Sequence, residues 1–303
     1  MESFTDEQME GMLSGADDPD RLGELRRDRV TLTPLIALAL NGATAYGAYR
    51  KEAVSRSGAV AGFLVGTAIF VGSGVLGWVL LMWFFGSSTL IGKLMTTEKR
   101  RAVNRHEKGS RRDWVQVGAN GGLPAIASIY FALSGDPLGL LAAAAALASA
   151  TADTWASEIG ALSSRAPRSI ITFRRIPTGT SGGVTLLGTA ASAGGSVSVA
   201  LLFFVGALFS GATPQWDGVI TASQGAAATL RIAAGVVALA GFFGSVVDSL
   251  LGATLQAQYR DDQGEVTERR EGNRLVRGFA PVTNDLVNAV SGLLVTGVAL
   301  ALV

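Results

Sequence analysis

From Thr31 onward, long apolar stretches alternate with short polar ones. TLTPLIALALNGATAYGAY covers 31–49, and SGAVAGFLVGTAIFVGSG (57–74) and VLGWVLLMWFFGSSTLI (75–91) follow with only glycines and a serine to mark a turn between them. Each approaches the roughly 20 residues that hydrocarbon crossing needs. The second and third are read as two spans in a tight hairpin in preference to one long broken segment. Further spans are predicted at 116–134, 137–162, 183–210, 225–255 and 281–303. The pattern predicts an all-α polytopic membrane protein of about eight transmembrane helices. AAAAALASA at 142–150 and GTAASAGG at 188–195 supply the small residues that let membrane helices touch.

Composition supports the pattern. Of 303 residues, 16% are charged and 49% hydrophobic, against about 25% charged in ordinary soluble domains. With 25 basic and 24 acidic residues, the net charge of +1 lacks the basic footprint of a nucleic-acid binder. There is no cysteine, hence no disulfide, thiolate ligand or cysteine nucleophile. One histidine, His106, lies in a charge-dense loop, which argues against a histidine zinc site or a Ser-His-Asp triad.

Residues 1–30 hold nine acids and four arginines with no early apolar run, so no cleavable signal peptide is indicated. They are expected to form an acidic, mobile tail ahead of a transmembrane domain at 31–303. Loops 93–115, 163–182 and 256–280 carry eight, four and five basic residues, whereas 211–224 carries none. Two helices separate each basic loop from the next, so all three share one side, which the positive-inside rule makes cytoplasmic. A multi-pass protein of a prokaryotic plasma membrane is the expected setting. Contact with anionic headgroups is by itself an adequate reason for loop 93–115.

Acids near a membrane are costly and therefore suspect as functional groups. Asp153 and Glu158 end the fifth predicted span, Asp248 ends the seventh and Asp285 begins the eighth, all toward the same face. On a helix, Asp153 and Glu158 lie about 140° apart and need not share one ligand. Ser245 shares a face with Asp248, while Asn284, Asn288 and Ser291 form a polar stripe beside Asp285. Such oxygen-only sets suit hard cations, and Mg²⁺ commonly uses one or two carboxylates with substrate phosphates. In RRIPTGTSGG, Arg174 and Arg175 have the chemistry to bind phosphate. Thr178, Gly179, Thr180, Ser181, Gly182 and Gly183 offer hydroxyls and backbone N–H groups just ahead of a helix. The same stretch also reads as an ordinary turn, and no GxxxxGK[ST] motif occurs. Asn120, Gly121 and Gly122 open the fourth span, either as a turn or as an amide and bare backbone in the site. Arg231 is expected to snorkel at the opposite end.

Acids, arginines and a glycine loop at a membrane face suggest phosphoryl or nucleotidyl transfer to a lipid. QVGANGG (116–122), TADTWASEIG (151–160), PRSIITFRRIPTGTSGGVTLLGT (167–189), DSLLGATLQ (248–256) and TNDLVNAVSG (283–292) resemble blocks of the DUF92-type integral-membrane family. That family includes a TMEM-type protein 19 and the plant plastid phytyl-phosphate kinase. The resemblance runs from about residue 33 to the C-terminus.

It implies a polytopic kinase that converts a prenyl monophosphate, such as phytyl or geranylgeranyl phosphate, to the diphosphate with a nucleoside triphosphate, CTP being favoured. Asp153, Trp155, Glu158, Arg174, Arg175, Pro177, Gly179, Gly182, Gly183, Asp248, Asn284, Asp285 and Asn288 fall on motif positions. Cysteines that members often carry between DSLLGATLQ and the last span are absent from 257–280.

The resulting expectation is Mg²⁺ held by Asp153, Asp248 and Asp285 with Glu158 as a further ligand. Arg174, Arg175 and 178–183 would grip phosphate, with Asn120, Asn284 and Asn288 positioning it. The partners would be a prenyl phosphate, a nucleotide and bilayer lipid, with a homodimer allowed and no nucleic acid. A CDP-lipid-forming nucleotidyltransferase and an ion- or proton-coupled transporter are the alternatives.

Overall fold

The computed structural model describes residues 19–94, 111–209 and 226–303, with side chains described from Pro34 in the first segment and from Ala228 in the third. Seven helices make up the body: α1 (Pro19–Arg50), α2 (Arg56–Leu94), α3 (Trp114–Ser134), α4 (Pro137–Gly160), α5 (Leu186–Phe209), α6 (Ala226–Thr254) and α7 (Asn284–Ala301). Most of the expected tail, and most of the basic loop at 93–115, lie outside the described residues. The described chain is already helical at Pro19, well before the apolar stretch starting at Thr31.

Helix α2 contains both the 57–74 and the 75–91 stretches. Gly74, at φ 64° and ψ −155°, breaks it, a conformation that only glycine adopts cheaply. The two limbs fold back side by side. The Phe70 and Trp78 rings lie edge to face at 6.5 Å, and Trp78 Nε1 donates to Asn41 Oδ1 at 3.1 Å, the atom against which Gly66 also packs. Straight helices would hold residues eight apart about 12 Å from each other, so the limbs form the hairpin that the sequence predicts.

Among the described residues six helices, α2 to α7, are long and apolar enough to cross a membrane. The count differs from eight because α2 holds two of the expected spans in one element, and because the side chains of the first expected span are described only from Pro34.

Helix α4 is the central stave. Every residue from Gly139 to Ala152 is buried. Asp136 caps its start by accepting from Leu138 N at 2.9 Å, with Pro137 in the first turn. Its alanines let neighbours approach closely: a Cβ on Gly241 would lie 2.9 Å from Ala148 Cβ, and one on Gly195 would lie 3.2 Å from Ala152 Cα.

The chain reversals near residues 51–55, 111–113, 161–185 and 255–283 gather at one end. Ser55 N donates to Arg112 O at 2.9 Å across two of them. Two small sheets cover this basic end where the sequence reading has loops. Strands β1 (Arg168–Ser169) and β2 (Gly183–Val184) pair antiparallel. Strands β3 (Gln258–Arg260), β4 (Val266–Thr267) and β5 (Arg274–Arg277) form a sheet in the order β4-β3-β5.

Candidate functional site

A cavity of about 240 Å³ opens at the basic end between α4, α5, α6 and the two small sheets. Asp153 of α4 and Asp248 of α6 form its floor, the Thr178–Gly183 loop its wall, and Glu268, Gln256 and Asn284 contribute from the C-terminal segments. Asp153 lies seven residues from the end of α4 and Asp248 six from the end of α6, about 10 Å below the helix ends at 1.5 Å per residue.

Asp248 is only 9% exposed. Its Oδ2 accepts from Ser291 Oγ at 3.1 Å and from the Asn288 amide at 2.8 Å. The α7 stripe predicted from sequence therefore orients a carboxylate of α6. Asp153 is near enough for its charge to act on Asp248. The two acids also line a smaller cavity on the far side, shared with Asn120, Asn288 and Ser291.

The glycine loop is clamped. Gly179 and Gly182 take φ of 82° and 79°, and Gly182 packs onto the backbone of Ala253 in α6. Ser181 Oγ donates to Glu268 Oε1 at 2.8 Å, and Gln256 Nε2 donates to the same oxygen at 2.7 Å. Arg277 donates to the carbonyls of Ser181 (3.0 Å) and Gly252 (3.2 Å), and burial lowers its guanidinium pKa from the usual arginine value. The N–H groups of Thr180, Ser181 and Gly183 are engaged by Pro177 O, the Gln258 amide oxygen and Thr180 O. Three of the loop's six backbone N–H groups are therefore engaged within the protein. The loop's hydroxyls and the glycine faces of the wall border the cavity.

Other expected residues fall elsewhere. Glu158 faces Gly92, whose added Cβ would lie 3.6 Å from both its carboxylate oxygens, and it acts electrostatically on Arg112. It is absent from the lining of the Asp153 cavity, as its 140° offset allows. Asp285 is buried, 6% exposed, in the first turn of α7 and lines neither cavity. Among the described residues no three carboxylates or histidines group as a metal would need; of the four acids expected together, Asp153 and Asp248 share a cavity.

Arg174 and Arg175 are exposed on the hairpin beyond β1 and do not line the cavity; Arg165 is the arginine that does. Residues 120–122 lie inside α3, which starts at a capping box of Asp113 and Gln116, not at a turn. Of these three, Asn120 reaches the acid pair's smaller cavity, Gly121 packs on Val65, and Gly122 lines neither cavity. Trp155 donates to Ser87 Oγ at 3.0 Å and ties α4 to α2.

Sequence reasoning missed Glu268, Gln256 and Arg165. Glu268 and Arg165 sit in charge-rich loops with no periodicity to single them out, and Gln256 follows directly on the end of α6.

Residues 39–296, most of the chain, match the family described as Integral membrane protein DUF92. Protein PGR of Arabidopsis thaliana is 33% identical over 244 residues, covering 73% of this chain and 78% of that protein. An uncharacterized membrane protein of Methanocaldococcus jannaschii is 30% identical over 156 residues, covering 52% of this chain and 64% of that one. Protein VTE6, chloroplastic, of Arabidopsis thaliana is 27% identical over 243 residues, covering 78% of this chain and 62% of its own. No solved structure matches. A match of this extent, on a body of long apolar helices, makes the chain a member of the DUF92 family of integral membrane proteins.

Proposed function

We propose that the protein is a prenyl-phosphate kinase, transferring the terminal phosphoryl group of a nucleoside triphosphate, with CTP the first candidate, to a prenyl monophosphate. The observation that carries this reading is the cavity at the basic end, where Asp153 and Asp248 face the glycine loop. The motif resemblance to the phytyl-phosphate kinase supports the same chemistry. The lipid phosphate oxygen attacks the γ-phosphorus, the bond from that phosphorus to the β–γ bridging oxygen breaks, and a nucleoside diphosphate leaves with that oxygen. A phosphate monoester is already ionised at neutral pH, so the step does not need a histidine base.

The titratable side chains bordering the cavity are Asp153, Asp248, Glu268 and one arginine, Arg165. A triphosphate entering so acidic a space is repelled unless a cation comes with it. The Asp153 and Asp248 carboxylates form an all-oxygen donor pair of the kind that Mg²⁺ takes alongside phosphates, so the residues present fit that ion. Bound there, Mg²⁺ would neutralise charge on the transferring group. Ser291 and Asn288 hold the Asp248 carboxylate in one orientation, Arg165 supplies the positive edge, and the hydroxyls of Thr178, Thr180 and Ser181 border the polyphosphate.

A transporter reading expects acids near mid-depth and access from both faces. The cavity beside Asp153 and Asp248 opens at the basic end.

The test is to incubate purified protein with prenyl monophosphates of several lengths, Mg²⁺ and each nucleoside triphosphate, and to separate the lipid products. Lipid diphosphate with release of nucleoside diphosphate is expected. Pyrophosphate release with a CDP-lipid would replace the reading by nucleotidyl transfer, and no lipid product with any nucleotide would refute both.

A further inference from the structure

The outer surface shared by α1 and the first limb of α2 carries a feature that the acid pair does not use. An open groove of about 310 Å³ lies there, lined by the small residues Gly42, Ala45 and Ala59 and by the larger Tyr46, Val60 and Phe63. Tyr49 and Arg56 complete its lining. Helix α1 ends and α2 begins at the basic end, so the groove runs inward from Tyr49 and Arg56 to Gly42 and Phe63, seven residues deeper on each helix. That is a length of about 10 Å at 1.5 Å per residue. Exposed leucines beside it, Leu35 and Leu38 on α1 and Leu64 on α2, give the surroundings the character of a lipid-facing surface.

The polar end has the chemistry of a phosphate site. Arg56 Nε donates to Tyr49 Oη at 3.2 Å, and among the described residues the two terminal amino groups of Arg56 have no partner. Those two groups are the fork that grips a phosphate through paired hydrogen bonds. Residues 50–56 hold three cations, Arg50, Lys51 and Arg56, against one acid, Glu52, and Glu52 is taken by an ion pair with Arg111. The charges of Arg56, Arg111 and Arg50 all act on the Tyr49 phenol. Positive potential is therefore gathered at one end of an apolar groove.

We propose that this groove binds an anionic phospholipid of the bilayer, with the headgroup phosphate on Arg56 and Tyr49 and the upper part of one acyl chain along Gly42, Ala45 and Ala59. A zwitterionic lipid would bring its own cation to a rim that is already positive, whereas an anionic one brings none. A second copy of this chain suits the face poorly. Copies related by a twofold axis along the membrane normal would set their own Arg50, Lys51 and Arg56 at one depth and oppose like charges. Such a lipid would be held whether or not the protein is a kinase.

The test uses the purified full chain in nanodiscs doped with phosphatidylglycerol or phosphatidylcholine, each carrying a diazirine in the upper half of one acyl chain, with labelled peptides read by mass spectrometry. Phosphatidylglycerol should label residues 42–63 several-fold more than phosphatidylcholine does. Arg56→Gln should lower that preference by about fivefold, the worth of one cation at a membrane surface, and Arg56→Lys should keep most of it. Gly42→Leu should suppress labelling by both lipids, because a Cβ there meets only Phe63, at 4.0 Å, and a longer side chain fills the inner end of the groove. Gly47→Leu is the control: a Cβ there meets nothing within 4 Å, and Gly47 lies outside the groove, so labelling should not change.

Equal labelling by the two lipids, an unchanged preference in Arg56→Gln, or equal effects of the two leucines overturns the site. So does a groove that no lipid labels while Val60→Cys forms a disulfide between copies, which would make this face a dimer contact instead.

Discussion

Replacing Gly182 with alanine tests whether the glycine loop is held rigidly against α6. Gly182 has φ 79°, and a Cβ there would sit 2.7 Å from Ala253 Cα and 3.0 Å from Ala253 N, with the Ala253 methyl nearer still. Two costs combine. A left-handed backbone costs a non-glycine residue about 1–2 kcal/mol, and forcing an extra carbon into a packed contact costs about 1–3 kcal/mol more. The obstacle is helix backbone, so the loop must give way and carry Ser181 away from Glu268 and Arg277.

The expected loss is about 2–5 kcal/mol. Gly264→Ala is the control: φ there is 81°, but a Cβ meets nothing within 4 Å, so only the backbone cost of about 1–2 kcal/mol applies. Equilibrium unfolding in mixed micelles measures the difference, and nucleotide KM reads the displacement of the wall. Equal losses for the two variants with an unmoved nucleotide KM would refute the clamp.

Asp153→Asn should abolish lipid diphosphate formation while the purified protein keeps its elution volume and unfolding midpoint; normal turnover would remove Asp153 from the site. Glu268→Gln keeps an oxygen for both donors and should cost about 1 kcal/mol or less, whereas Glu268→Ala strands Ser181 and the buried Gln256 amide and should cost about 2–4 kcal/mol. Matching losses by equilibrium unfolding would show that Glu268 does not hold the loop. Because the chain has no cysteine, single cysteines report sidedness directly. Arg269→Cys and Ser134→Cys should react with a membrane-impermeant maleimide from opposite faces, and labelling from one face would undo the topology.

The helical spans were legible because apolar runs of membrane length have few alternatives, and even the reversal at Gly74 shows in the VGSGVLG punctuation. Asp153, Asp248 and the 178–183 loop could be brought together by counting spans, since basic loops fix which ends share a face. Rotation about each helix axis could not be counted the same way. Asp285 and Glu158 have the right depth but face away from the cavity, and only packing decides that. Glu268 was hidden for another reason: it directly follows β4 of a sheet whose strands are too brief for alternation to register, and Gln256 sits in the turn that leaves α6. Arg174 and Arg175 looked like phosphate ligands by type, yet their hairpin carries them outward, and Arg165, less conspicuous in sequence, takes the place beside the cavity.

The clamp on the glycine loop has a consequence for biosynthesis. The loop is threaded out of the ribosome well before Glu268 and Arg277, which fasten it, and before Ser291 and Asn288, which orient Asp248. A nascent chain that has inserted only as far as α6 holds both acids but neither fastening. The fastened loop and the oriented Asp248 are therefore complete only once the final helix is in place.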